Sequence, residues 1–452
     1  MLPMKDWKPF FAGKKITVLG LGLLGRAVND AKFLAEQGAE LIVTDLKSGD
    51  ALRTSLDILK PFPNIRYRLG AHDLADFRNR DFILKAAGIP MDSPYITEAK
   101  RNAIPVKMSA SWFAELAQVP VVGVTGTRGK STTTHMLYDI MKAAGMDVLL
   151  GGNVRGVSTL ALLPEVRKET IALMELDSWQ CRGFGDDGMS PAVSVFTTFF
   201  PDHLNYYKKD LGLYLDDKAH IFLHQKSGDT LVAGVQALPA IKKKYGSAIR
   251  STLVIADPAH WPKGWTLAVP GFHNVGNAMC AIEAAHALGI DDGVIKSAIG
   301  EFSGIPGRLE FVRDIRGIRI FNDNNSTTPE ATIAALRALG EAGARSVVLI
   351  MGGDEKNLDM SELVAEIPKF CAAVVLFKER GTDRIRDSVF ALEKIGVKVY
   401  EEEGLRPTVE KAYAVAEPGN TLLFSPAFSS FGKYFANEFD RGDQFNALVR
   451  EL

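Results

Sequence analysis

Residues 121–132 read VVGVTGTRGKST, a Val-rich run that breaks into Gly126-Thr127-Arg128-Gly129-Lys130-Ser131-Thr132. Beyond it, Met136, Leu137, Ile140, Met141 and Ala144 recur at helical spacing up to Gly145. The order is strand, glycine-rich turn, helix. Glycines let backbone N–H groups wrap an anion, and the helix N-terminus adds a favourable dipole. Lys130 is placed to reach the outer phosphates of a nucleotide, and the Ser131 or Thr132 hydroxyl suits a nucleotide-bound Mg²⁺. The spacing departs from the general phosphate-loop pattern, because Gly123 lies six positions before Gly129 rather than five. The plainer alternative is a glycine-rich turn with a surface lysine.

Further short apolar runs lie on both sides, separated by helix-length segments. Before the loop come KITVLGLGLLG (15–25), ELIVTD (40–45) and DFILKAAG (81–88). With it belong DVLLGGN (147–153), TIALMELDS (170–178) and SVFTTFFPDHLN (194–205). After it come IRIFNDNNST (318–327), SVVLIMGGDEKN (346–357), AAVVLF (372–377) and TLLFSPAFSS (421–430). Most end in Gly, Asp, Asn, Ser or Thr, and ligands of open parallel sheets bind beyond the carboxyl ends of the strands. The reading is three α/β domains: a Rossmann-like domain over 1–105, a central P-loop ATPase domain over 106–307 and a Rossmann-like domain over 308–452.

Composition narrows the partners. The 452 residues carry 53 Lys+Arg against 54 Asp+Glu, so no basic excess points to nucleic acid or an anionic membrane. The three cysteines, Cys181, Cys280 and Cys371, form no CxxC pair, which argues against a disulfide scaffold or structural zinc and fits a cytoplasmic setting. No apolar stretch has the length of a signal peptide or a membrane span. A monomer is expected.

Gly20-Leu21-Gly22-Leu23-Leu24-Gly25, with Asp45 twenty residues on, is a dinucleotide-type fingerprint. Physically it specifies a pyrophosphate at a helix N-terminus and a carboxylate near a ribose or base, which UDP satisfies as well as NAD; a ligand-free βα turn is the plain alternative. Glu175 closes one run and His203 follows another, suited to a metal shell or to positioning a nucleophile, though either residue at a strand end is structural about as often. Lys218, in LYLDDKAHIF, reads by default as a solvated helix face. Asn274 and Asn277, opening a long helix, are able to read an adenine edge or simply to cap the helix.

Taken in order, TGTRGKST, GGN at 151–153, Glu175, His203 and HNVGNA at 273–278 resemble the Mur ligases over essentially the whole chain. The N-terminal segment and the ending SPAFSSFGKYFANEFDRGDQF are similar to the branch that adds D-glutamate to UDP-N-acetylmuramoyl-L-alanine. The resemblance implies an ATP- and Mg²⁺-dependent amide ligase working through an acyl phosphate in peptidoglycan precursor synthesis. By it, Gly22, Leu23, Leu24, Asp45, Leu46 and Gly88 face the UDP group, and Asn153 touches the pyrophosphate region. Gly126 to Thr132 hold ATP, with Lys130 on the terminal phosphates and Ser131 and Thr132 beside phosphate and Mg²⁺. Glu175 and His203 serve the magnesium sites and the reacting centre, and Lys218 is the lysine that the family carbamylates into a magnesium ligand. Asn274 and Asn277 contact adenine, Arg308 and Asp323 phosphate and ribose. Thr327, Lys356, Ser430 and Phe431 or Phe439 surround the amino acid.

Some positions depart from the family pattern. Asn325 stands where a lysine is usual, Asp177-Ser178-Trp179-Gln180 replaces Ser-Ser-Phe-Gln, and Ala86-Ala87-Gly88-Ile89, preceded by Lys85, replaces Ser-Pro-Gly-Ile. One extra residue precedes Arg441. The nearest rival is a related ligase adding L-glutamate, L-alanine, a diamino acid or folate-linked glutamate; the rival from another class is an NAD-dependent oxidoreductase. A non-catalytic nucleotide switch would not need a third substrate domain.

Overall fold

The computed structural model describes residues 7, 9–22, 25–355, 357–430, 433–435 and 437–452. Leu23, Leu24, Lys356 and Phe431 lie outside the described residues.

Each apolar run named above forms a strand, and the strands build three sheets. In the first, β1 (Lys15–Leu19), β2 (Glu40–Asp45), β3 (Ile65–Leu69), β4 (Phe82–Lys85) and β5 (Val106–Lys107) lie in the order β3-β2-β1-β4-β5. The second contains β6 (Val121–Thr125), β7 (Val148–Gly152), β8 (Ile171–Glu175), β9 (Val193–Phe196), β10 (Thr230–Gly234) and β11 (Thr252–Ala256), ordered β11-β10-β9-β6-β8-β7. Both are parallel throughout. The third holds β12 (Glu310–Ile315), β13 (Ile318–Asn322), β14 (Val347–Met351), β15 (Cys371–Phe377), β16 (Lys398–Glu402) and β17 (Thr421–Phe424), ordered β12-β13-β17-β14-β15-β16, with β12 antiparallel to β13. The central strands β6 and β14 are buried at every position, as parallel strands covered on both faces must be.

The first two sheets belong to one compact unit, Met1–Trp265 with Gly276–Ile299. Their hydrophobic core is continuous: Phe11 meets Trp112 edge to face at 5.2 Å, and Phe82 lies 5.0 Å from the same indole. Each such buried ring contributes about 1.5–3 kcal/mol by leaving water. Thr266–Val275 with Gly300–Leu452 forms the second unit, whose sheet is covered by two apolar layers, one around Leu349 and Leu376, the other around Ile350 and Phe424. Among the described residues, no helix is long and apolar enough to cross a membrane.

Candidate active site

The carboxyl ends of β6, β7, β8 and β9 share one rim of the second sheet. Pairing sets Val124 beside Glu175, Thr125 beside Phe196, and Gly152 beside Glu175. At this rim the 126–129 turn leads into the helix Lys130–Ala143. Gly129 has φ +86°, and a Cβ there would fall 2.1 Å from Asn277 Oδ1, so only glycine allows the turn to pass this side chain. The turn is fixed from β9: Thr127 N–H donates to Thr198 O (2.7 Å) and Arg128 N–H to Thr198 Oγ1 (2.9 Å). Arg128 pairs with Asp202 at 2.9 Å.

Two lysines converge on this turn. Lys130 Nζ donates to Gly126 O (3.0 Å) and Thr127 O (3.2 Å), while Lys218 Nζ donates to the same Gly126 oxygen at 2.8 Å. Lys218 belongs to the helix Leu211–Ala219 and is 1% exposed, so the solvated face expected by default is not where it lies. Burial, and then the neighbouring charge of Lys130, bring its pKa down to about 7.

Glu175 is buried at the end of β8, and its Oε1 accepts from Asn153 Nδ2 at 3.1 Å. Asn153 Oδ1 in turn accepts from the Arg26 guanidinium. Arginine only donates, so this contact fixes which end of the amide faces Glu175. Arg26 opens the helix Arg26–Glu36 directly after the GLGLLG turn. His203 keeps solvent contact but stands against Trp179 (4.8 Å between ring centroids), and desolvation draws its pKa below the usual imidazole value. The neutral ring is therefore favoured.

At the first sheet, Asp45 Oδ2 accepts the N–H groups of Leu21 (2.9 Å) and Gly22 (3.0 Å), and Oδ1 that of Lys47 (2.9 Å). Burial opposes its charge, but these donors and the Lys47 charge hold the carboxyl below its usual range. Asp45 thus shapes the glycine-rich turn, leaving lone pairs for a ligand. Gly88 and Leu46 are exposed near these strand ends.

In the first unit, Asn277 lies on the Gly129 turn and accepts from Thr133 Oγ1 through its carbonyl (3.2 Å). In the second unit, Asn274 Nδ2 donates to Pro270 O (2.7 Å). Asp323 is buried, with its carboxylate accepting from Ser326, Ser425 and the Leu309 N–H. Burial raises its pKa to about 6 despite these bonds. Arg308 stays exposed and contributes a favourable charge to Asp323. Asn325, at the usual lysine position, donates to Pro306 O (3.3 Å). Ser430 Oγ is buried without a hydrogen-bond partner among the described residues. Thr327 and Phe439 are half-buried.

Sequence reasoning gave no role to Arg26, Asp30 or Arg441. Asp30 accepts from Ser109 Oγ (2.7 Å) and Ser158 Oγ (2.6 Å), tying the first sheet's leading helix to the second sheet's layers. Arg441 is 1% exposed and clamps Asn324 (Nε to Oδ1, 2.6 Å) and the carbonyls of Phe428 and Ser429. Its place in the quoted C-terminal ending was the available signal.

A glycine-rich turn that carries Lys130 beside the buried Glu175, on a chain built of three α/β sheets, is compatible with an ATP-dependent acid–amino-acid ligase. Residues 14–107 match the family model described as the Mur ligase MurD-like N-terminal domain, 124–253 the Mur ligase middle domain, and 307–428 the Mur ligase glutamate ligase domain. A Roseiflexus sp. (strain RS-1) protein named UDP-N-acetylmuramoylalanine–D-glutamate ligase is 34% identical over 98% of this chain and 99% of its own. A Streptococcus pneumoniae (strain P1031) protein of the same name is 32% identical, covering 98% of each chain. The solved structure of UDP-N-acetylmuramate–alanine ligase from Thermotoga maritima shares the fold, with TM-score 0.62 and 21% identity over 97% of this chain and 99% of that one. The chain belongs to the Mur ligase family, whose members are ATP-dependent ligases.

Proposed function

We propose that this enzyme joins D-glutamate to UDP-N-acetylmuramoyl-L-alanine with hydrolysis of ATP to ADP and phosphate, in the cytoplasm. The observation that carries the reading is near-full-length similarity to relatives bearing that activity in their names. Residues 1–105 take the UDP-linked substrate, 106–307 ATP, and 308–452 glutamate.

The alanine carboxylate attacks the γ-phosphorus of ATP, giving an acyl phosphate and ADP; the glutamate amine then attacks the acyl carbon and phosphate leaves. The chain's task is to bring two anions together and to receive the charge that moves between them. Lys130 leaves the Gly126 and Thr127 carbonyls for the β- and γ-phosphates, while Gly126 to Thr132 wrap the triphosphate. Asn274 and Asn277 read adenine; Arg308 and Asp323 take phosphate and ribose. Magnesium, when bound, supplies the charge neutralisation that two approaching anions require. Glu175, His203, the Ser131 and Thr132 hydroxyls and Lys218 as its carbamate would hold that ion, a mainly hard-oxygen set. Lys218, its pKa brought down to about 7, offers a neutral amine to CO₂; the new C–N bond forms with loss of one proton, and the carbamate attracts the Lys130 ammonium where a second ammonium would repel it. His203, at the reacting centre in this reading and with its pKa drawn below the usual imidazole value, is able to take the proton that the glutamate ammonium must lose before its amine attacks.

Gly22, Leu23, Leu24, Asp45, Leu46, Gly88 and Asn153 receive the UDP group. Lys356 and Thr327 hold one glutamate carboxylate, Ser430 and backbone N–H groups the other, with Phe431 or Phe439 along the side chain. The test is a phosphate-release assay with ATP, UDP-N-acetylmuramoyl-L-alanine and a panel of D- and L-amino acids: release should require D-glutamate.

A further inference from the structure

The residue before the 86–89 turn has no part in the chemistry above, yet it is a lysine with 3% exposure. Lys85 ends β4 and lies opposite Leu19 of β1, from which the glycine-rich turn springs. Its Nζ donates to Ile89 O (2.8 Å), Ala87 O (2.9 Å) and Ala86 O (3.1 Å). An ammonium has three donors, and all three are spent on the carbonyls of a single turn. That turn supports the neighbouring one: a Cβ on Gly20 would fall 2.9 Å from Ile89 Cδ1 and 3.1 Å from Ala86 Cβ. Here β1 has β2 on one side and β4 on the other, the switch point at which open α/β sheets take their ligands.

We propose that Lys85 is a positioning residue for the UDP-linked substrate: its ammonium, gathering the carbonyls of Ala86, Ala87 and Ile89, turns the opposite edge of the turn, with Gly88, toward the uridine diphosphate and buttresses the GLGLLG turn. The inference rests on the reading of these two turns as the nucleotide subsite. Carbonyl oxygens drawn inward to a cation are carbonyls kept away from an anionic ligand, so the lysine acts by orientation and not by touching the diphosphate. Three carboxylates face it from the second sheet's layers. Asp177 caps the helix Ser178–Asp186, while Asp186 and Asp217 are both paired with Arg182. Burial nonetheless lowers the Lys85 pKa to about 8, with these acids opposing the shift. Loss of the third proton leaves two donors and a lone pair against three carbonyls. The turn should then loosen as pH rises past about 8.

Titration calorimetry of the full-length protein with UDP-N-acetylmuramoyl-L-alanine, whose diphosphate does not titrate and whose uracil N3–H stays protonated between pH 7 and 8.5, tests this. The Lys85→Met variant, compared at pH 7, should bind the substrate about five- to tenfold more weakly, part of what lost hydrogen bonds to a charged group cost because the lysine acts on the turn and not on the ligand, with ADP affinity unchanged as the sign that the fold is kept. The wild-type affinity should fall between pH 7 and 8.5 and that of Lys85→Met should stay flat. Substrate affinity within twofold of wild type in the variant, equal weakening of ADP, or a parallel pH-dependent fall in both proteins would overturn the proposal. Failure of the wild-type protein to bind the substrate at all would instead remove the nucleotide-subsite reading beneath it.

Discussion

Replacing Asn153 by aspartate changes one amide nitrogen to oxygen and should disable the enzyme. Asn153 Nδ2 donates to Glu175 Oε1 at 3.1 Å, whereas an aspartate oxygen at that place sets two carboxylates in contact. At an effective dielectric of 20, two unit charges 3.1 Å apart repel by about 5 kcal/mol. The lost hydrogen bond to a carboxylate adds about 1.5–3 kcal/mol. The pair relieves this only by sharing a proton or by Glu175 turning away, and either outcome removes the carboxylate proposed to hold magnesium. Arg26 would still hold position 153, so the fold should survive. Steady-state phosphate release at saturating ATP, glutamate and UDP-substrate should therefore show kcat at least about a hundredfold lower, equivalent to some 2.7 kcal/mol. ADP binding without metal should remain near wild type. Turnover within threefold of wild type, with the same pH profile, would refute both the bridge and the role given to Glu175.

Lys130→Ala should abolish phosphate release while leaving UDP-substrate binding by calorimetry intact; full turnover at saturating ATP would remove the phosphate-loop assignment. Lys218→Ala should be nearly inactive, with short carboxylic acids partly restoring activity, and ¹³CO₂-labelled wild type should show a carbamate carbon signal absent from the variant; an unlabelled, fully active wild type would contradict it. Asp30→Asn should raise Tm at pH 7.5. Burial lifts the Asp30 pKa from 3.8 to about 6, so above pH 6 the folded state carries a charge it disfavours, by up to about 3 kcal/mol. As pH falls from 6 toward 3.8 the folded state takes up the proton first and stability from this group rises. The advantage of the variant should therefore vanish by about pH 4, and a pH-independent difference in Tm would refute the assignment.

Much of this architecture is legible in the sequence because buried parallel strands are written as contiguous apolar runs, and the polar residues ending them mark one rim. Edge strands are less visible. β3 reads IRYRL and β16 KVYEE, each carrying charge on an exposed face, and β5 spans only Val106–Lys107. The glycine-rich turn was readable because its strand, glycines and helix are contiguous in the chain, although its anchors at Thr198, Asp202 and Asn277 are distant. The Arg26–Asn153–Glu175 bridge was not, since its members come from two sheets and nothing in the spacing of an arginine after GLGLLG announces an amide 127 residues away. Lys218 shows the same limit from the other side. Its helix context suggests solvent, and only packing against Thr125, Gly126 and Tyr214 turns it into a buried amine beside a second lysine. Lys85 stood out as a departure, but its meaning depends on three carbonyls that only the folded turn brings together.

The most direct test of the central claim is product analysis by mass spectrometry after incubating the enzyme with ATP, Mg²⁺, UDP-N-acetylmuramoyl-L-alanine and an equimolar mixture of D- and isotopically labelled L-glutamate. The account predicts one new UDP-linked product carrying unlabelled glutamate in amide linkage, formed with one ADP and one phosphate per product. A product carrying the labelled L-isomer, or phosphate release with no glutamate incorporated, would contradict it.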